Sequence, residues 1–388
     1  MNLRFTMAFL VVLRTAAFQA GPRLGQKSKL SASFLDDLTK TFSSMTGGGD
    51  ASKYYTVGLT GAGGLIGTAL QDELSKKRTI KGKPIRLVKL SRGNQAETKS
   101  LDEKPISTLV WNPKGASSSE VIDPNVLKEM DALIHLSGEN ISTGLSGPLA
   151  PLGIRPWTPE KKQEILDSRT VTTSALAKAI ASSNKKIDFL VASGVGAYGP
   201  KFVGAGAVAA DESYDISKSE GFLAEVSRQW EAASEPAKKG GNRVVNMRNG
   251  VVLSRKGGAM AKLYPIFLVG GGGIVGSGQQ YFPYISCRDM ARAIVHVLET
   301  PKLSGPVNMC APSGCTNAEF TAAMGKVLGR PTLLPFPGFA VSLLFGEMGE
   351  EVLLGGTRAE PKKLLESGFS FNHGTVEEAV QSAVDEEI

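Results

Sequence analysis

From Tyr54 onward, short runs rich in β-branched and apolar residues alternate with longer stretches of helical periodicity. The short runs fall at Tyr55–Thr60, Ile85–Leu90, Ala132–Ser137, Phe189–Ser193 and Arg243–Met247. The helical stretches fall at Leu65–Lys77, Pro159–Ser182 and Ser219–Lys239. Strands that alternate with helices build βαβ units and a parallel sheet covered on both faces. Beyond Gly250 the chain is glycine-rich from Gly270 to Gly278, returns to helix at Arg288–Glu299, and is mainly helical from Thr316. Prolines 331, 335, 337 and 361 interrupt that last part. The pattern predicts an α/β fold: a Rossmann-like doubly wound parallel sheet over residues 54–312 and a small, mainly helical C-terminal domain over 313–388.

Composition adds exclusions. Of 388 residues, 41% are apolar and 21% charged, which describes an ordinary globular chain. No apolar run approaches the ~20 residues of a membrane span. The net charge of +7 resides mostly in residues 1–35, which hold Arg4, Arg14, Arg23, Lys27 and Lys29 and no acid. The remainder is close to neutral, so a nucleic-acid footprint has little support. An acid-free, basic, Ala- and Ser-rich start fits an organellar leader. Its apolar opening, Ala-Phe junction and Ser-rich tail fit a plastid leader, with a mitochondrial one as the alternative, and residues 36–53 read as a linker. Three cysteines and three scattered histidines form no ligand cluster, so no protein-held metal is expected.

The densest chemical signal is Tyr55-Thr-Val-Gly-Leu-Thr-Gly61-Ala-Gly-Gly64-Leu65-Ile66-Gly67. A strand ends at Thr60, glycines follow at intervals of three, and a helix opens at once. In a dinucleotide site the first glycine permits the tight turn, the second admits the pyrophosphate, and the third brings helix close to strand. The end of the next strand selects the nucleotide. An NAD site places Asp or Glu there, whereas this chain has Ser91 and Arg92. A guanidinium pairs with the extra 2′-phosphate of NADP(H); the other reading of Arg92 is a solvated residue at a strand end.

With that loop placed, further stretches stand out: Leu136-Ser-Gly-Glu-Asn-Ile141, Trp157 with Ile165-Leu-Asp-Ser-Arg169, and Phe222 through Trp230-Glu231. Arg248-Asn-Gly-Val-Val-Leu253, Gly305-Pro-Val-Asn308, Thr316-Asn-Ala-Glu-Phe320 and Leu364–Phe371 continue the set. Over about Tyr54 to Val384 the chain resembles the atypical short-chain dehydrogenase/reductases called epimerase family proteins, of the SDR39U1 type, with a DUF1731-like C-terminal domain. The resemblance implies NADP(H) held by Gly61, Gly64, Leu65, Ile66, Gly67, Ser91, Arg92, Leu136, Ser137, Glu164, Arg169 and Val252.

Ordinary short-chain reductases use Ser, Tyr and Lys. Ser193 occupies the Ser position, but alignment through Trp230-Glu231 puts Leu223 in the Tyr slot and Ser227 in the Lys slot, as in this group generally. Tyr198, close after Ser193, is the candidate proton donor. The literal Tyr214-Asp-Ile-Ser-Lys218 match is set aside, because Ser217-Lys-Ser-Glu220 reads as a capping box that would leave Tyr214 ahead of the helix. Two departures from the group put a shared substrate in doubt: Tyr284-Ile-Ser286 stands where relatives have Trp-Ile-His, and Thr357-Arg358-Ala359 where they have Gln-Arg-Val. The Gly270–Gly278 segment reads equally as a mobile lid or a tight connection, and Leu334–Phe345 as C-terminal packing. The expected function is an NADP(H)-binding oxidoreductase or epimerase acting on a small carbonyl or alcohol. The alternative is a non-catalytic NADPH-binding regulator or scaffold of the plastid.

Overall fold

The structure is a computed structural model that describes residues 53–92, 99–101, 104–115, 117–141, 156–200 and 207–386. The leader and all but the last residue of the linker lie outside the described residues.

Seven parallel strands form the body of a nine-stranded sheet, β1 Tyr55–Thr60, β2 Lys83–Ser91, β3 Lys104–Val110, β4 Ala132–His135, β5 Asp188–Gly194, β6 Val244–Asn249 and β7 Gly305–Met309; the short runs Thr79–Ile80 and Lys99–Leu101 add antiparallel to β2 and to the outer side of β3. Their spatial order is β7-β6-β5-β4-β1-β2-β3, every neighbouring pair parallel. The chain winds outward from β1 in one direction, then crosses back to β4 and continues in the other. The reversal opens a crevice past the ends of β1 and β4, where ligands bind in open α/β sheets. All six residues of β1 are buried, as expected of a central parallel strand with helices on both faces.

One face is covered by α1 Leu65–Lys77 and α5 Cys287–Glu299, through Leu70, Leu74, Met290, Ile294 and Leu298. The other is covered by α2 Pro159–Ala181 and α3 Phe222–Ala233, through Leu176, Ile180 and Trp230. Pro at the first position and a Thr158 side chain accepting from Lys161 N start α2 where the sequence places it. The expected Ser219–Lys239 helix instead begins at Phe222 and breaks at Ser234. The proposed capping box does not form: Asp215 caps a single 3₁₀ turn at Ile216–Lys218, and Gly221, at φ 98°, leads into α3. Gly221 has no side chain to cap with, so the Glu351 carboxylate accepts from Phe222 N (2.6 Å) and Leu223 N (3.0 Å).

The C-terminal part adds α4 Gly258–Leu268, α6 Asn317–Leu328, α7 Gly338–Gly349 and α8 Val376–Val384. Both α6 and α8 start with complete capping boxes, Thr316/Glu319 and Thr375/Glu378. They pack with Leu253, Met260, Phe267 and Tyr284 into a second core. The Gly270–Gly278 segment is a tied connection rather than a lid. Phe336 N donates to Ile274 O and Gly276 N to Phe336 O, while a Cβ on Gly273 would stand 1.9 Å from Leu334 O. Val341, Phe345 and Met348 of α7 cluster with Trp157, as the packing reading of Leu334–Phe345 expects, but Leu334, Phe339 and Leu343 remain exposed. Among the described residues no helix is long and apolar enough to cross a membrane.

Candidate functional site

The turn between β1 and α1 fits a dinucleotide in its backbone geometry. Gly61 adopts φ +70°, and a Cβ there would press to 3.0 Å on the Leu136 carbonyl carbon, so the two strand ends close together only around glycine. Gly64 N donates to Gly61 O (3.0 Å), and Gly64 stands at the N-cap of α1 with no side-chain cap. No acid occupies the first turn, leaving the positive end of the helix open to an anion. A Cβ on Gly67 would fall 2.3 Å from Gly61 O. Gln71 fastens the turn from the helix side, donating to Ala62 O at 2.7 Å.

Several predicted residues surround this turn. Ser91 ends β2 and exposed Arg92 follows it, just past the register that pairs β2 with β1. Leu65 packs toward Gly257 and Gly258, and the Val252 carbonyl lies 3.5 Å from a Cβ built on Gly258, so Leu65 and the Val252 backbone both lie beside the start of α4. Ile66 and Leu136 pack against the core below. Ser137 follows Leu136 at the same strand end. Arg169 is half-buried on α2, stacked 4.9 Å from the Trp230 ring, and desolvation pushes its pKa down to about 10. It donates to Ile165 O (3.0 Å), and Gly138 leaves room for its head. Glu164 ion-pairs with Lys161, which also holds Glu139.

His135 closes the floor of the crevice. The fully buried imidazole shares hydrogen bonds with Thr60 Oγ1 (Nδ1, 2.7 Å) and Thr172 Oγ1 (Nε2, 3.1 Å), joining β1, β4 and α2. Desolvation pushes its pKa down to about 3. The unfolded chain therefore takes up a proton below about pH 6.5 that the folded chain refuses. Folding stability should fall as pH drops through that window, by up to ~1.4 kcal/mol per pH unit for one such group. His135→Gln should flatten the slope between pH 6.5 and 4.5 in denaturant titrations; an unchanged slope would refute the assignment.

The end of β5 carries the candidate catalytic residues. Ser193 is 3% exposed and its Oγ donates to Glu231 Oε1 at 3.0 Å. Leu223, Ser227 and Glu231 share one face of α3 at intervals of four. Leu223 lies against Gly196, and Ser227, which donates to Leu223 O, lies near Gly194. The Tyr198 hydroxyl is engaged on both sides. The residue is 2% exposed; its hydroxyl donates to Asn308 Oδ1 (2.7 Å) and accepts from Arg248 (3.1 Å), and burial pushes its pKa up to about 12. Tyr214 lies ahead of α3, edge-on to Tyr198 at 5.6 Å.

Glu231, Arg248 and Asn249 join the site without a role expected from the sequence. Arg248 donates to both Glu231 oxygens, at 2.8 and 2.9 Å. Asn249, register partner of Gly194, has its amide oxygen enclosed without a hydrogen-bond partner among the described residues. A carboxylate four residues beyond the Lys slot was the available signal. At the departure near Ser286, His373 supplies an imidazole from far along the chain, with Nδ1 2.9 Å from Ser286 Oγ and 3.4 Å from Asp289. Both partners meet the same nitrogen, and Ser286 caps α5, so the trio is no proton relay. At the other departure, Thr357 donates to Gly199 O and Arg358 to Ala207 O, so both side chains hold backbone carbonyls rather than face a ligand.

Residues 57–310 match the NAD dependent epimerase/dehydratase family. The chain belongs to that family. Residues 336–383 match a domain of unknown function, DUF1731. An epimerase family protein of Mycobacterium bovis is 38% identical over 326 residues, 84% of this chain and 96% of the relative. The chloroplastic SDR39U1 homologue of Arabidopsis thaliana is 34% identical over 330 residues, 84% of this chain and 86% of the relative. The crystal structure of human epimerase family protein SDR39U1 (isoform 2) with NADPH superposes with a TM-score of 0.69 at 31% identity, covering 85% of this chain and 99% of that one. The family accounts for the crevice and its glycine turn, and leaves substrate and reaction open.

Proposed function

We propose that this chain is an NADP(H)-dependent oxidoreductase or epimerase acting on a small molecule with a carbonyl or secondary alcohol. The observation that carries the reading is the glycine turn beside a β2 end that offers Ser91 and Arg92 and no carboxylate. The NADPH held by the human relative supports it. When bound, the nicotinamide gives or takes the hydride. The turn and the α1 N-terminus hold the pyrophosphate, Arg92 pairs with the 2′-phosphate, and Leu65 and Val252 wall the crevice. Ser137, Glu164 and Arg169 contribute from the β4 side. Ser193 orients the reacting oxygen. Tyr198 serves as a strut for Arg248, because a hydroxyl enclosed between two partners with a raised pKa is a poor acid at neutral pH. Water or the substrate itself completes the proton transfer.

Fluorescence titration tests this. Arg92→Ala should weaken NADPH about 10- to 100-fold, the loss of charge-assisted hydrogen bonds to a phosphate, and leave weak NADH binding unchanged. Absence of binding to either nucleotide would overturn the reading. The acid-free leader and the chloroplastic Arabidopsis relative support residence in a plastid. A fluorescent protein fused after residue 53 should enter plastids; mitochondrial import would assign the alternative compartment.

A further inference from the structure

Resting on the reading that Ser193 faces the reacting oxygen, we propose that Glu231 is a positioning residue that holds the Ser193 proton. Ser193 then meets its ligand as a hydrogen-bond acceptor and selects a group that donates, an alcohol O–H over a carbonyl. A serine hydroxyl has one proton and two lone pairs, and a carboxylate only accepts. The Ser193 proton is committed to Glu231 Oε1 at 3.0 Å, so what remains for the crevice is lone pairs.

The carboxylate is not free to swing away. Arg248 Nε donates to Oε1 at 2.8 Å and its terminal nitrogen to Oε2 at 2.9 Å, with the guanidinium 3% exposed. Arg248 is itself held, donating to the Tyr198 hydroxyl and lying 5.1 Å from that ring. Tyr198 donates to Asn308, whose amide nitrogen donates to Glu360 O at 2.8 Å. The orientation of one proton is thus set through β6, the turn after β5 and β7, and by the C-terminal segment. Turning that proton toward the crevice would forfeit a charge-assisted hydrogen bond in a buried setting. The Tyr slot offers no competing donor, since Leu223 fills it. A carbonyl ligand would bring lone pairs against lone pairs.

Joint neutron and X-ray refinement of the deuterium-exchanged protein with NADP+ reads the proton directly. The expected map places the Ser193 deuteron on the line to Glu231 Oε1, with the nicotinamide ring beside Ser193 Oγ. A deuteron pointing into the crevice overturns the proposal and leaves the NADP(H) function standing. A nicotinamide bound away from Ser193 overturns the site reading and the proposal with it. In solution, matched secondary alcohols and ketones are compared by ligand-observed NMR on NADP+-loaded protein. The wild type should favour the alcohol of each pair by roughly five- to tenfold. Glu231→Asp keeps the charge beside Arg248 but shortens the reach to Ser193, so the preference should fall to about one, with circular dichroism confirming the fold. No preference in the wild type, or an unchanged one in Glu231→Asp, overturns it.

Discussion

Gly67→Ala should lose NADPH binding by about a hundredfold or more and lower the melting temperature by a few degrees. The added methyl would stand 2.3 Å from Gly61 O, 2.9 Å from Ala62 Cα and 3.0 Å from Ala62 C. All three are backbone atoms of the turn, so no side chain can rotate aside. Helix α1 cannot retreat either, because Leu70 and Leu74 are locked into the core on its inner face. The turn must open instead, and the amides that would meet the pyrophosphate move with it. Gly63→Ala is the stability control: a Cβ there meets nothing within 4 Å among the described residues, so its melting temperature should stay near that of the wild type. Fluorescence titration and thermal melts decide the matter. Wild-type NADPH affinity in Gly67→Ala would show that the turn does not hold the nucleotide.

That prediction rests on a feature confined to a dozen consecutive residues, which is why it is legible in the sequence. Strand, turn and helix are adjacent in the chain, and glycine spacing reports the close approaches directly. The same locality explains why β1 and α1 coincide with their expected bounds and why β2, β4, β5 and β6 lie within a few residues of theirs. Two strands left no such signal. The run Lys104-Pro-Ile-Ser-Thr-Leu-Val110 opens on Lys-Pro and mixes polar with apolar residues without strict alternation; it lies next to the sheet edge, and its Val110 is half exposed. Gly305-Pro-Val-Asn-Met309 opens with two residues that argue against a strand, yet it is an edge strand, where proline is tolerated. The capping box at Ser217 fails because Asp215 competes for the same turn, and the true cap of α3, Glu351, comes from well over a hundred residues away. The buried polar network is non-local in the same way. Ser193, Glu231 and Arg248 meet only once β5 and β6 pair in register and α3 lies over them. Sequence spacing points to Tyr198 for its nearness to Ser193, but the turn that follows β5 carries its ring inward.

Arg248→Ala should be among the most destabilising single substitutions in the chain, costing about 3–5 kcal/mol, or on the order of 10 °C in melting temperature. It removes the cation that donates to both oxygens of Glu231 and leaves a carboxylate only 12% exposed with, among the described residues, the Ser193 hydroxyl alone. The Tyr198 hydroxyl loses its donor at the same time. Burial works against the charge on Arg248, and the hydrogen bonds and charge of Glu231 outweigh it, so its pKa is raised. The pair therefore stands or falls together. Replacing both partners, Glu231→Leu with Arg248→Met, removes the uncompensated charge along with the salt bridge, and should recover most of the stability lost by Arg248→Ala. The recovered protein would still lack the group that fixes the Ser193 proton, so stability and ligand preference should separate in it. Thermal and denaturant unfolding of the Arg248→Ala and double variants tests the coupling. A double variant no more stable than Arg248→Ala would mean that the cavity and the lost Tyr198 contact, rather than the stranded charge, set the cost.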